Sequence, residues 1–138
     1  MPVRFYAHSP VESVGERGAL FEVARGLLER YGSADAPPFA LVANVVPDRV
    51  PAWRAYKLTQ LDALLLGENF VALLDFKSAA RPVIGEENTR WAIVKRDGRH
   101  EHDPLLAGHS TNPFHQLKYA RHQWSHFFRE ATKPLLAE

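Results

Sequence analysis

The chain contains no cysteine. Disulfides and thiolate metal sites are therefore excluded, and a reducing compartment suits such a sequence. Long apolar runs are missing too. No uninterrupted stretch approaches the ~20 residues that span a bilayer, and the opening "MPVRFYAHSP" lacks the apolar core of a signal peptide. The expected setting is cytoplasmic, with no membrane partner. Net charge is nearly absent: 17 Lys and Arg against 16 Asp and Glu leave +1. That total carries no signature of a nucleic-acid binder, so any such surface must be a local basic patch. Phosphate-cradling glycine loops, dinucleotide fingerprints and the HExxH pattern do not occur, nor do internal repeats or low-complexity tracts.

What is present reads as one domain over residues 1–138, long enough for a real hydrophobic core. In "SVGERGALFEVARGLLERYG", Leu20, Val23, Ala24, Leu27, Leu28 and Tyr31 recur at helical steps, and Gly32 ends the pattern. "FALVANVV", between two prolines, reads as a strand, and "PDRVPAWRAYK" as a loop. "LTQLDALLL" and "FVALLDFK" read as two apolar strands joined across "GEN". After the loop "SAARPVIGEENT", Asp97-Gly98 signals a hairpin between "RWAIVKR" and "RHEHD". Asn112-Pro113 opens a second helix, since Asn caps well and Pro suits the first helical position. Phe114, Leu117, Ala120, Trp124, Phe127, Phe128 and Ala131 supply its apolar face, and Pro134 ends it. The fold class expected is α/β, with a mixed sheet and flanking helices.

Polar residues in apolar places carry the functional argument. Strand alternation puts Asp75 and Lys77 on one side with Val71 and Leu73. Asp62 interrupts the partner strand. A Glu68-Asn69 turn sets Asp62 opposite Asp75, whereas a Gly67-Glu68 turn sets it opposite Leu73 and diagonal to Asp75. Two facing carboxylates repel unless a cation lies between them, and oxygen-only ligands suit Mg²⁺ or Mn²⁺. The plainer reading is an Asp75–Lys77 ion pair on a solvated face. Glu16 lies on the core-facing stripe of the first helix. It is either the acid of a Ser13-x-x-Glu16 capping box or a third acid directed at the hairpin. Gln116 borders the apolar stripe one turn into the last helix.

Together these residues resemble the nuclease-related domain (NERD) family of the PD-(D/E)XK nuclease superfamily. The likeness runs from "GERGALFEVARGLLERYG" through "QLDALLL", "LLDFKS" and the tryptophan of "RWAI" to "NPFHQLKYARHQ". These match, in order, the family's Gly-Glu helix, its Ile-Asp strand, its Ile-Glu-x-Lys-Asn strand, its tryptophan and its Asn-Pro-x-x-Gln helix. The resemblance implies a restriction-endonuclease-like core and a metal-dependent nuclease acting on DNA. It assigns Asp62, Asp75 and Glu16 to Mg²⁺ or Mn²⁺, Lys77 to the attacking water or leaving phosphate, and Gln116 to support of the site. Asp75 stands where the family carries Glu, and Ser78 where it carries Asn. The family's last strand has no counterpart before Glu138, so an open sheet edge is expected to favour a homo-oligomer.

Other surfaces have simpler explanations. His115, His122 and His126 share one helical face, and His100 and His102 one strand face, but three must converge to hold a transition metal. Arg90 to Arg99, with Lys95 and Arg96, forms a basic hairpin, with Arg81, Lys118 and Arg121 as further cations for a nucleic-acid backbone. Ser110 beside His109 has no nucleophile context. The rival functions are a non-catalytic nucleic-acid- or partner-binding module on the same fold, and a structural subunit whose edge pairs with another chain.

Overall fold

The computed structural model describes residues 2–77, 82–94, 103–105 and 112–133. The chain order is β1 (Val3–Ala7), α1 (Val14–Tyr31), β2 (Phe39–Val45), β3 (Leu61–Leu66), β4 (Val71–Leu74), β5 (Val83–Ile84), β6 (Ala92–Ile93), β7 (Asp103–Pro104) and α2 (Pro113–Thr132). β1 to β4 form a mixed sheet in the order β1-β2-β3-β4, and β5 to β7 form a small second sheet. β1 runs parallel to β2, and every other pairing is antiparallel. The α/β class with a mixed sheet is as expected.

β2 and β3 are the central strands, and each is apolar on both faces because a core lies on either side. On one side Leu41, Phe39 and Ala63 pack against Leu27, Val23 and Leu20 of α1. On the other, Leu64, Leu61 and Val45 pack against Ala120, Trp124 and Phe127 of α2. Trp124 is only 2% exposed, and its indole N–H donates to the Thr59 carbonyl at 3.0 Å. Leu28 and Phe21 of α1 face outward, so its buried stripe is narrower than the periodicity suggested.

Four local features depart from the sequence expectation. Residues Val3–Ala7, given no element above, form edge strand β1. The stretch "PDRVPAWRAYK" is not an open loop. Pro47 and Pro51 each start a 3-10 turn (Pro47–Arg49, Pro51–Tyr56), where proline's fixed φ helps and its missing N–H is harmless. The second turn delivers Trp53 and Tyr56 to the α2 core, edge-on to Phe127. Val83–Ile84 pairs with β6 where a loop was expected. Finally, β4 stops at Leu74, so Asp75 and Lys77 lie just past the strand rather than within it.

The β6–β7 pairing, with Ala92 opposite Pro104 and Ile93 opposite Asp103, is antiparallel as anticipated. The Asp97-Gly98 turn lies outside the described residues. So do Ser78, Arg81, Lys95, Arg96, Arg99, His100, His102, His109, Ser110 and Pro134.

Both helices begin as the sequence indicated. Ser13 Oγ accepts from the Glu16 amide at 3.3 Å. Asn112 Oδ1 accepts from the Phe114 and His115 amides at 2.9 and 3.4 Å. Asn112 does more than cap. Its Nδ2 donates to the Glu87 and Thr89 carbonyls, both at 2.8 Å, and so ties the start of α2 to the β5–β6 connection. Asn112→Ala should therefore lose a cap worth about 1 kcal/mol and strand two carbonyls, adding about 1–3 kcal/mol. Urea denaturation should show the combined loss. Asn112→Asp, which retains only the cap, should recover part of it.

Candidate functional site

The site is built where the β3–β4 ladder ends. Ala63 lies opposite Leu74 and Leu66 opposite Val71, and the Gly67 amide donates to the Phe70 carbonyl at 2.9 Å. This is the Glu68-Asn69 turn register, and continuing it one step sets Asp62 against Asp75. A side chain at Gly67 would run into the Phe70 ring, so glycine suits the hairpin's close end. Antiparallel pairs alternate between hydrogen-bonded and open. With Gly67 and Phe70 bonded, the next bond for the Phe76 amide would be to the Leu61 carbonyl. That amide instead donates to Asp62 Oδ2 at 2.6 Å. The carboxylate captures the rung, and regular pairing stops one residue before Asp75.

Lys77 Nζ lies 2.8 Å from Asp75 Oδ2, with the two side chains 23% and 14% exposed. This is a charge contact without hydrogen-bond geometry: Asp75 Oδ2 is buried and makes no hydrogen bond. The ion pair of the plainer reading therefore exists, but on a mostly covered site rather than a solvated face. Leu74 and Phe76 join the α1-side core while Leu73 joins the α2-side core. Chain alternation thus assigns Asp75 to the α2 side.

Asp62 feels all its neighbours. Its pKa is raised from 3.8 to about 6, chiefly by loss of solvent, and further by the charges of Asp75 and Glu16. The Phe76 amide and Lys77 act in the opposite direction. Glu16 is half-buried at the start of α1, close enough to repel Asp62. Its amide binds Ser13, but its carboxylate makes no return bond to the Ser13 amide, so the capping box is only half formed. Among the described residues that carboxylate makes no hydrogen bond.

Gln116 sits on the first turn of α2, and its Oε1 is buried without a partner. No hydrogen bond among the described residues ties it to the carboxylates. Asp75 and Lys77 are thus in contact, Asp62 feels the charges of Asp75, Glu16 and Lys77, and Gln116 stands apart on α2. Gln123, further along α2, is structural: it accepts from the Thr59 amide at 3.1 Å and donates to the Lys57 carbonyl at 2.7 Å. The element that sequence reasoning missed is the Phe76 amide, whose capture no side-chain pattern announces.

Among the described residues, no three His, Cys, Asp or Glu side chains are grouped closely enough to hold a metal ion. On α2, His115 and His122 are about 10 Å apart along the axis at 1.5 Å per residue. His126 lies against Tyr56. The acids fit a different cation habit. Mg²⁺ keeps several waters and takes one or two carboxylates plus substrate phosphate. Asp62 and Asp75 offer that donor set, with an unbonded buried oxygen on Asp75 and a like-charge repulsion that a cation would relieve. No family model, curated protein sequence or solved structure matches the chain. Among the described residues, no helix is long and apolar enough to cross a membrane.

The raised pKa sets a pH test. Folding holds the Asp62 proton more tightly than the unfolded chain does, so this residue's contribution to stability falls as pH rises from about 4 to about 6. Asp62→Asn, which can still accept from Phe76, should escape that loss. Its melting temperature relative to the parent should climb across this window and level off above it.

Proposed function

We propose that the chain is a metal-dependent nuclease-like domain that hydrolyses phosphodiester bonds, with DNA as substrate. The observation that supports this reading is the Asp75–Lys77 contact beside Asp62, whose pKa is raised to about 6 by burial and by the charges of Asp75 and Glu16. Such an arrangement is unfavourable by itself and becomes favourable with a divalent cation, which is the pattern expected of a functional site. The sequence resemblance to the NERD family supports the same residues in the same order, and the restriction-endonuclease-like core is part of this proposal.

Asp62 and Asp75 would hold Mg²⁺ or Mn²⁺ directly, with Glu16 acting on the ion's water shell. The bound ion would supply Lewis-acid polarisation of the scissile phosphate and a lowered pKa for attacking water. Lys77, in contact with Asp75, would place an ammonium where negative charge grows on the phosphoryl oxygens. Gln116, with its carbonyl oxygen unspent, is a positioning residue on the α2 side. Asp75 supplies a shorter arm than the glutamate of the family pattern.

A second reading is favoured by one observation: the acids are not grouped tightly enough to bind a metal unaided. On that view the fold persists as a non-catalytic binding module. Two measurements decide between them. The parent should nick single- or double-stranded DNA with Mn²⁺ or Mg²⁺, and Asp75→Ala and Lys77→Ala should each reduce the rate at least about 100-fold, as expected for loss of an electrostatic catalyst. Full activity in both variants rejects the site. Calorimetry should show Mn²⁺ binding that Asp62→Ala abolishes. No heat at millimolar Mn²⁺, with no cleavage, would leave the binding module.

A further inference from the structure

We infer that the groove between α2 and the β4 edge is the track for a single nucleic-acid strand, leading it to the acidic site; this deepens the nuclease reading and rests on it. The groove holds about 620 Å³ and is walled by Val71, Leu73, Phe114, Lys118, Arg121 and Phe128. Among the described residues its floor is the edge strand β4, which ends at Leu74, directly before Asp75 in the chain. A ligand in the groove would thus lie against Leu73, two residues from the site.

The groove has the two components that single-strand recognition needs: cations for the backbone and aromatic faces for bases. Lys118 and Arg121 are one helical turn apart and border the groove together. Neither is paired with an acid among the described residues. From Pro113 to Arg129 the helix contains no Asp or Glu, whereas Lys118, Arg121 and Arg129 are all cationic. A near-neutral chain has thus concentrated one sign of charge on the helix that overlooks the site. Phe114, 39% exposed, stands at the groove wall, and Tyr119, 64% exposed, lies on the outer side of the same cations.

A duplex has no unstacked bases to offer these walls; its outer surface is phosphate and its base faces are hidden. The apolar floor of Val71 and Leu73 would then meet only charged backbone. A separated strand fills both needs at once. An anionic lipid headgroup would suit the cations but not a groove that leads to a phosphodiesterase site, so vesicles serve as a control.

The test is fluorescence anisotropy of fluorescein-labelled dT15 with the full chain in EDTA, which keeps binding separate from cleavage. Expected is binding that unlabelled dT15 competes at least about tenfold better than a 15-base-pair duplex. Lys118→Gln with Arg121→Gln should weaken it about tenfold or more and flatten the salt dependence by about 1.4 in log–log slope, for two phosphate contacts at 0.7 each. Phe114→Ala should weaken it by about fivefold or more. All these side chains are surface-exposed or at the groove rim, and unchanged circular-dichroism melts will establish folding. Equal competition by duplex, displacement of dT15 by phosphatidylserine vesicles as effectively as by free strand, unaltered binding by the folded variants, or no binding at micromolar protein would each overturn the inference. Its fate is separable from that of the nuclease reading. Strand binding through Lys118 and Arg121 with no Mn²⁺-dependent cleavage keeps the groove and removes the enzyme. Cleavage undiminished in the Lys118/Arg121 variant keeps the enzyme and removes the groove.

Discussion

One hydrogen bond organises the site: the Phe76 amide to Asp62 Oδ2. A backbone amide that would have extended the ladder is satisfied by a side chain instead, so no donor is stranded. The chain after Leu74 is released from strand pairing while still held within reach of β3. Asp75 and Lys77 can therefore approach Asp62 without obeying sheet spacing. The same bond keeps Asp62 in a partly desolvated position where its charge is disfavoured. The local cost is offset by packing on either side, where Leu74 and Phe76 enter one core and Leu73 the other.

Packing around α2 relies on a few amide side chains as much as on apolar area. Asn112 fixes where the helix starts and which connection it touches, and Gln123 fastens its middle to residues 57–59. Just past the Gln123 anchor the Trp124 and Phe127 rings pack edge to face with Trp53, a geometry that aromatic quadrupoles favour. The helix is thereby held at its start and its middle, which leaves its other face free to carry charge.

Much of this architecture was legible because the signals were local. Ser13 and Asn112 announced helix starts, the periodicities of α1 and α2 named Leu27, Ala120, Trp124 and Phe127 of the core, and the turn at Glu68-Asn69 was one of two open registers. What the sequence concealed was long-range. β1 is exposed at every residue but Val3, so no alternating buried face marks it as a strand until β2 is beside it. The 3-10 turns after Pro47 and Pro51 depend on Trp53 finding Trp124, far along the chain. The Glu68-Asn69 register, which aligns Asp62 with Asp75, was one the sequence offered. The exact end of β4 was not, because it is decided by competition for one amide. Asn44 is a further case: its φ of 46° in β2 is a conformation that Asn tolerates better than most residues. Its side chain accepts from Gln60 at 3.1 Å, beside the site.

The parallel β1–β2 pairing has a kinetic implication. Val3 meets Phe39 only after the whole of α1 has been traversed, whereas β3 and β4 meet across a tight reversal. Entropy of loop closure grows with the length enclosed, so contacts of short sequence separation form first. The acidic hairpin should thus be an early-forming unit and the outer edge strand a late addition, which means the chemistry-bearing end of the molecule is assembled before the sheet is complete.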